Sequence, residues 1–127
     1  MIFRYTILYV EDVARTLSFY EEAFGLTRGF LHESGDYGEL ITGETKLAFS
    51  SMTLMKELGK NPKPLDASSS SFEIAFETDD VKAKLAKAID AGAVLVQDVE
   101  HMPWGQTTAY VRDINGTLVE ICTPVTP

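Results

Sequence analysis

The sequence predicts an α+β fold: two paired β-α-β-β-β modules forming a curved, mixed eight-stranded sheet with a concave cleft. Three observations predict it. The first is a repeat: Tyr5-Thr6-Ile7-Leu8-Tyr9-Val10-Glu11-Asp12-Val13 lies over Glu73-Ile74-Ala75-Phe76-Glu77-Thr78-Asp79-Asp80-Val81, and a repeated supersecondary unit constrains the whole architecture. The second is a switch, in each copy, from a β-rich run to apolar residues at helical spacing. The third is the tail of each copy, where three short β-rich runs are separated by Gly, Asp and Asn turn signals. The chain divides into module one (1–50), a connector (51–70) and module two (71–127) of a single domain.

Phe3 to Val10 is rich in β-branched and aromatic residues and reads as the first strand. Asp12 stands where an N-cap belongs, and Val13, Leu17, Tyr20 and Phe24 follow at helical spacing, with Phe19 widening the stripe. Gly25 ends that helix. Thr27–Ser34, Glu39–Thr42 and Lys46–Ser50 are strands, split by Gly35-Asp36 and Gly43-Glu44. Met52–Leu58 suits a short helix, which Gly59-Lys60-Asn61-Pro62-Lys63-Pro64 cannot continue. The second copy runs Phe72–Thr78 as a strand, then a helix capped by Asp79 or Asp80 with Val81, Leu85, Ala88 and Ile89 as its apolar stripe, ended by Gly92. Val94–Val99, Thr107–Arg112 and Leu118–Thr123 are its last strands, the final two joined by a turn at Asp113-Ile114-Asn115-Gly116.

Composition narrows the function. At 127 residues and 45% hydrophobic, the chain can build a core without disulfides or metal. A net charge of −8 argues against nucleic acid, whose phosphates need a basic footprint. No run approaches membrane-spanning length and Met1–Tyr5 has no signal-peptide pattern, so no membrane partner is expected and the cytoplasm is the expected location. The single cysteine, Cys122, reads as a buried, inert strand residue.

Alternation within strands sorts residues by face. Tyr5 shares a face with Ile7 and Tyr9, Glu73 with Ala75 and Glu77, and Glu120 with Leu118 and Cys122. The more apolar sets should lie under the helices, which turns Tyr5, Glu73 and Glu120 toward the cleft. Glu73 and Glu120 have three readings: a general acid/base pair, carboxylates solvated or paired with Arg112 or Arg4, or a recognition site for an amine or guanidinium. Trp104, between Pro103 and Gly105, is either a wall for a planar ligand or a plug at the sheet end or dimer contact. Tyr5, Tyr9, Phe30, Tyr37 and Tyr110 either extend that wall or fill the core. His32 and His101 read as surface residues, and Lys82, Lys84 and Lys87 as a solvated helix face.

The chain resembles the vicinal oxygen chelate superfamily, which includes glyoxalase I, extradiol dioxygenases and bleomycin-resistance proteins. The resemblance spans essentially the whole chain. It rests on the paired modules, on Val10-Glu11-Asp12-Val13 leading to Ser18-Phe19-Tyr20 and Phe24-Gly25-Leu26, and on Trp104-Gly105-Gln106 before Asp113-Ile114-Asn115-Gly116 and Glu120. Metal-dependent members hold a divalent ion with four positions, matched here by Tyr5, Ala48, Glu73 and Glu120. Tyrosine and glutamate stand where the family commonly has His or Gln, and alanine donates nothing. A catalytic transition-metal site wants at least three protein ligands, usually with imidazole. No cofactor and no tight metal are therefore expected.

The resemblance implies a homodimer. It leaves two functions open. One is a metal-free protein sequestering a cationic or aromatic small molecule, with Tyr5, Ala48, Glu73, Trp104, Tyr110 and Glu120 as ligand positions. The alternative is a glyoxalase I-like lyase or dioxygenase-related enzyme with Glu73 and Glu120 as candidate catalytic residues.

Overall fold

The computed structural model describes residues 1–126. Eight strands and three helices follow one another as β1 (Tyr5–Val10), α1 (Val13–Phe24), β2 (Thr27–Leu31), β3 (Tyr37–Ile41), β4 (Lys46–Ser51), α2 (Met52–Glu57), β5 (Ile74–Glu77), α3 (Val81–Asp90), β6 (Val94–His101), β7 (Thr107–Arg112) and β8 (Leu118–Cys122). The fold is α+β, as the repeat predicts. The strands form two mixed four-stranded sheets, ordered β1-β4-β3-β2 and β5-β8-β7-β6. In each, the first strand pairs in parallel with the last, and the remaining pairs are antiparallel. The chain clusters into two compact units, Met1–Glu21 with Gly25–Pro64, and Glu22–Phe24 with the chain from Leu65 onward.

In the first unit, Asp12 caps α1 by accepting from Arg15 N, and Gly25 closes it in the left-handed region at φ 68°. Val13, Leu17, Phe19 and Tyr20 are buried. Tyr20 packs edge-on against Phe49 of β4, with ring centroids 5.2 Å apart. The face of this sheet under α1 therefore carries Leu8, Val10, Phe49 and Leu40. Its open face carries Tyr5, Ile7, Ala48 and Glu39, in the parity the alternation predicts.

In the second unit, Asp80 caps α3 through Ala83 N, and the helix packs on β6, β7 and β8. Val81, Leu85 and Ala88 are buried above Ala109, Val111, Val119 and Ile121. Ile89 does not join this stripe and is 39% exposed, because it lies a further 100° round the helix from Ala88.

Strand ends differ from the expected ones where local turns compete. β2 stops at Leu31 rather than Ser34 because the Nδ1 of His32 accepts from Ser34 N and Gly35 N donates to His32 O, folding the next residues into a turn. β3 starts two residues early, at Tyr37, and β6 runs on to His101. No helix among the described residues is long and apolar enough to cross a membrane.

Candidate functional site

Pairing register shows which positions of the two modules correspond. Ala48 lies opposite Ile7 in β1 and Glu39 in β3, while Glu120 lies opposite Ala75 in β5 and Tyr110 in β7. Counting two residues back along the first strands, Tyr5 corresponds to Glu73, and along the last strands Lys46 corresponds to Leu118.

In the second unit these positions converge on one hydroxyl. The Tyr110 phenol lies 3.0 Å from Glu120 Oε2 and 3.2 Å from Glu73 Oε2. A phenol has one proton to donate, so one donor serves two carboxylates. Burial, the hydrogen bond to Glu120, and the negative charges of Glu120 and Glu73 all push the Tyr110 phenol well above its ordinary range. It remains a neutral donor at physiological pH.

Neither cation suggested by the sequence reaches the pair. Arg112 Nη1 donates to Ser70 Oγ at 2.6 Å and to the Gly116 carbonyl at 3.1 Å. Arg4 donates to the Glu44 carbonyl. Among the described residues the side-chain ion pairs are Arg28–Glu21 and Lys46–Glu39, neither of which involves Glu73 or Glu120. The reading that pairs Glu73 and Glu120 with Arg112 or Arg4 is thus corrected.

The first unit builds a related cluster with the opposite outcome. Tyr37 donates to Glu39 Oε2 at 2.7 Å, and Lys46 Nζ lies 3.1 Å from Glu39 Oε1. Burial and the Glu39 carboxylate push the Tyr37 phenol up as well. Here a lysine neutralises the carboxylate, whereas at the corresponding place in the second module stands Leu118. This Tyr37–Glu39–Lys46 set went unrecognised in the sequence, although strand parity already puts Lys46 on the Ala48 face.

The other predicted positions are dispersed. Tyr5 is 46% exposed opposite Lys46, and Ala48 is fully buried. Trp104 is 60% exposed on the turn between β6 and β7, its indole N–H donating to Gln106 Oε1 at 2.8 Å. Gln106 in turn donates to the Thr123 carbonyl, so the indole is held by the hairpin and is not a partner of the Tyr110 hydroxyl. His32 and His101 are exposed, bonded to Ser34 and Thr107. Cys122 is buried, and burial, with the carboxylate of Glu120 next, pushes its thiol up, away from nucleophilic use.

The donor set does not fit a catalytic transition metal. Of the four corresponding positions, alanine contributes no atom, Tyr5 offers only a phenol, and each glutamate already has an oxygen on Tyr110. Among the described residues no group of three or more His, Cys, Asp and Glu is placed to hold a metal ion.

Two β-α-β-β-β modules, each closed by a parallel pairing of first and last strand, define the vicinal oxygen chelate superfamily as the class of this protein. The model of the glyoxalase-like domain matches residues 3–126, and the chain belongs to that family. It is 29% identical over 118 residues to the uncharacterized protein YraH of Bacillus subtilis (strain 168), covering 90% of this chain and 91% of that protein. It superposes on a glyoxalase/bleomycin resistance protein/dioxygenase family enzyme from Burkholderia phytofirmans PsJN with a TM-score of 0.83 at 20% identity, covering 99% and 100% of the two chains. TioX from Micromonospora sp. ML1 gives a TM-score of 0.72 at 20% identity, over 97% and 98%. At such identities these structural likenesses show the fold alone.

Proposed function

We propose that the chain is a metal-free small-molecule-binding protein of the glyoxalase/bleomycin-resistance type, sequestering a cationic or aromatic ligand at Glu73, Tyr110 and Glu120. One observation carries this reading: two carboxylates share a single phenolic proton, and among the described residues no side-chain cation pairs with either. An ammonium or guanidinium supplies the missing donors, and a charge-assisted hydrogen bond is about twice as strong as a neutral one. Tyr110 itself sets an aromatic ring beside the two carboxylates, a face for a cation–π contact with the ligand. The protein acts as a homodimer, supported by Tyr5, Ile7, Phe30 and Ile41, exposed by 42–59% on the open face of the first sheet. Its place is the cytoplasm, in keeping with a lone unpaired cysteine.

The test is calorimetric titration with cationic arylalkylamines, cationic antibiotics and their neutral amide or alcohol isosteres, with and without chelator. The cation binds at least ~10-fold more tightly than its isostere, a difference of about 1.4 kcal/mol, and chelator changes nothing. Glu120→Gln weakens the cation by a similar factor. Leu118→Lys does the same by placing an internal ammonium where the first module has Lys46. Equal binding of neutral isosteres, or affinity lost with chelator, would overturn the reading.

A second reading draws on the same phenol. A neutral donor between two carboxylates also passes a proton, which a glyoxalase I-like lyase or dioxygenase-related enzyme requires. Turnover of a thiol–ketoaldehyde adduct, lost in Glu73→Gln and Glu120→Gln, would put that reading first.

A further inference from the structure

A groove of ≈ 520 Å³ in the second unit has no part in the cluster around Tyr110. It runs between the start of β6, the β7–β8 turn and the connector, lined by Val94, Val96, Ile114 and Ala67 with Arg112 among them. That volume falls within the range of about 300–1,000 Å³ typical of small-molecule sites. Val94 and Val96 are 63% and 49% exposed, on a strand edge bulged between Leu95 and Gln97.

Arg112 is the groove's cation and is held in place. Its Nη1 donates to Ser70 Oγ and to the Gly116 carbonyl, which fixes the guanidinium plane. Ala67 of the same connector sits against Gly116, where an added Cβ would lie 3.1 Å from the Ala67 Cβ. Both bonds use one nitrogen, and among the described residues no acceptor is bonded to the Nε–Nη2 edge. That edge is the one that takes a carboxylate through two parallel bonds. Asp113, also on the lining, is 4% exposed, and its Oδ1 accepts from Asn115 N and Thr117 N within the turn. Its charge is thereby committed to the turn.

We propose that this groove is a second ligand site, selective for an apolar monocarboxylate, an aryl- or alkyl-carboxylic acid whose carboxylate takes the Nε–Nη2 edge of Arg112 and whose body covers Val94, Val96 and Ile114. The net charge of −8 opposes any anion at long range, but at physiological salt that repulsion is screened beyond about 8 Å. The selectivity rests on the local guanidinium.

The test is an amide-resolved NMR titration of the full chain with 4-phenylbutyrate, with 4-phenylbutanamide as neutral control. The carboxylate shifts the amides of Val94, Val96, Ile114 and Gly116 and the Arg112 Nε resonance. The amide binds at least ~10-fold more weakly, and so does Arg112→Gln toward the carboxylate. Val96→Glu, on an exposed position, blocks the groove and separates loss of the site from loss of fold. Glu120→Gln leaves the carboxylate titration unchanged, which keeps this site distinct from the cation site. Equal binding of acid and amide, shifts confined to Glu73, Tyr110 and Glu120, or shifts of these amides with protein concentration alone, as a second copy in the groove would give, each overturn the proposal.

Discussion

Tyr110 stands between two carboxylates, and its ionisation would place a third negative charge beside them. Burial, the Glu120 hydrogen bond and both carboxylates raise its pKa. A group whose folded pKa exceeds its unfolded value of about 10 gives its full stabilisation below pH 10 and loses it as pH rises from there through the folded pKa. The difference in melting temperature between the wild type and Tyr110→Phe is therefore constant from pH 7 to about 10 and moves against the wild type above it. Thermal melts by circular dichroism across pH 7–11.5 check this, and a difference that drifts between pH 7 and 9 would contradict it. The carboxylates themselves were legible in the sequence, because strand parity and the repeat select Glu73 and Glu120 without coordinates. The direction of Arg112 was not. Parity assigns a Cβ to a face, whereas a long flexible cation chooses among acceptors only three-dimensional placement reveals, here Ser70 and Gly116. The same limit hid the pairing of Lys46 with Glu39.

At the level of elements, the first module depends on how closely α1 approaches β3. A Cβ on Gly38 would lie 2.6 Å from Leu17 Cδ1, 3.1 Å from Val13 Cγ1 and 3.2 Å from the Phe30 carbonyl. Leu17 and Val13 are 0% and 1% exposed, so neither has room to yield. Gly38→Ala consequently costs about 1–3 kcal/mol of overpacking, offset in part by the ~0.5–1 kcal/mol that alanine gains over glycine in a strand or helix. Gly25→Ala meets nothing within 4 Å and tests backbone strain alone at φ 68°, at about 1–2 kcal/mol. Urea melts of the two variants, each with an unchanged m-value, check both figures; a neutral Gly38→Ala would mean that α1 slides freely over β3. Gly25 was readable in advance as a helix stop, since a capped, periodic stretch ending in glycine has few other meanings. Gly38 was not, because what it accommodates is a side chain from a different element. Among the strand ends that shifted are those of β2 and β3, where the side chains of His32 and Ser34 offer the backbone a competing turn.

At the scale of the whole molecule, charge acts beyond any contact. A net −8 on a 127-residue chain creates a field that draws cations in, and under the proposed binding function it would act before a ligand meets Glu120. The reach of that field follows the screening length, about 30 Å at 0.01 M salt and near 6 Å at 0.3 M. The proposed ligand contact at Glu73, Tyr110 and Glu120 would be short-range, so salt would weaken it much less. The two contributions therefore separate in kinetics. For an arylalkylammonium ligand, raising salt from 0.01 to 0.3 M lowers the association rate constant about tenfold and leaves dissociation within about a factor of two. Glu120→Gln removes one charge of the field but half of the carboxylate pair, so its loss of affinity appears mainly as faster dissociation. Stopped-flow fluorescence following Trp104 across salt concentrations measures both rates. An association rate indifferent to salt would show that the acidic surface has no steering role, and an unchanged dissociation rate in Glu120→Gln would remove the ligand from this cluster.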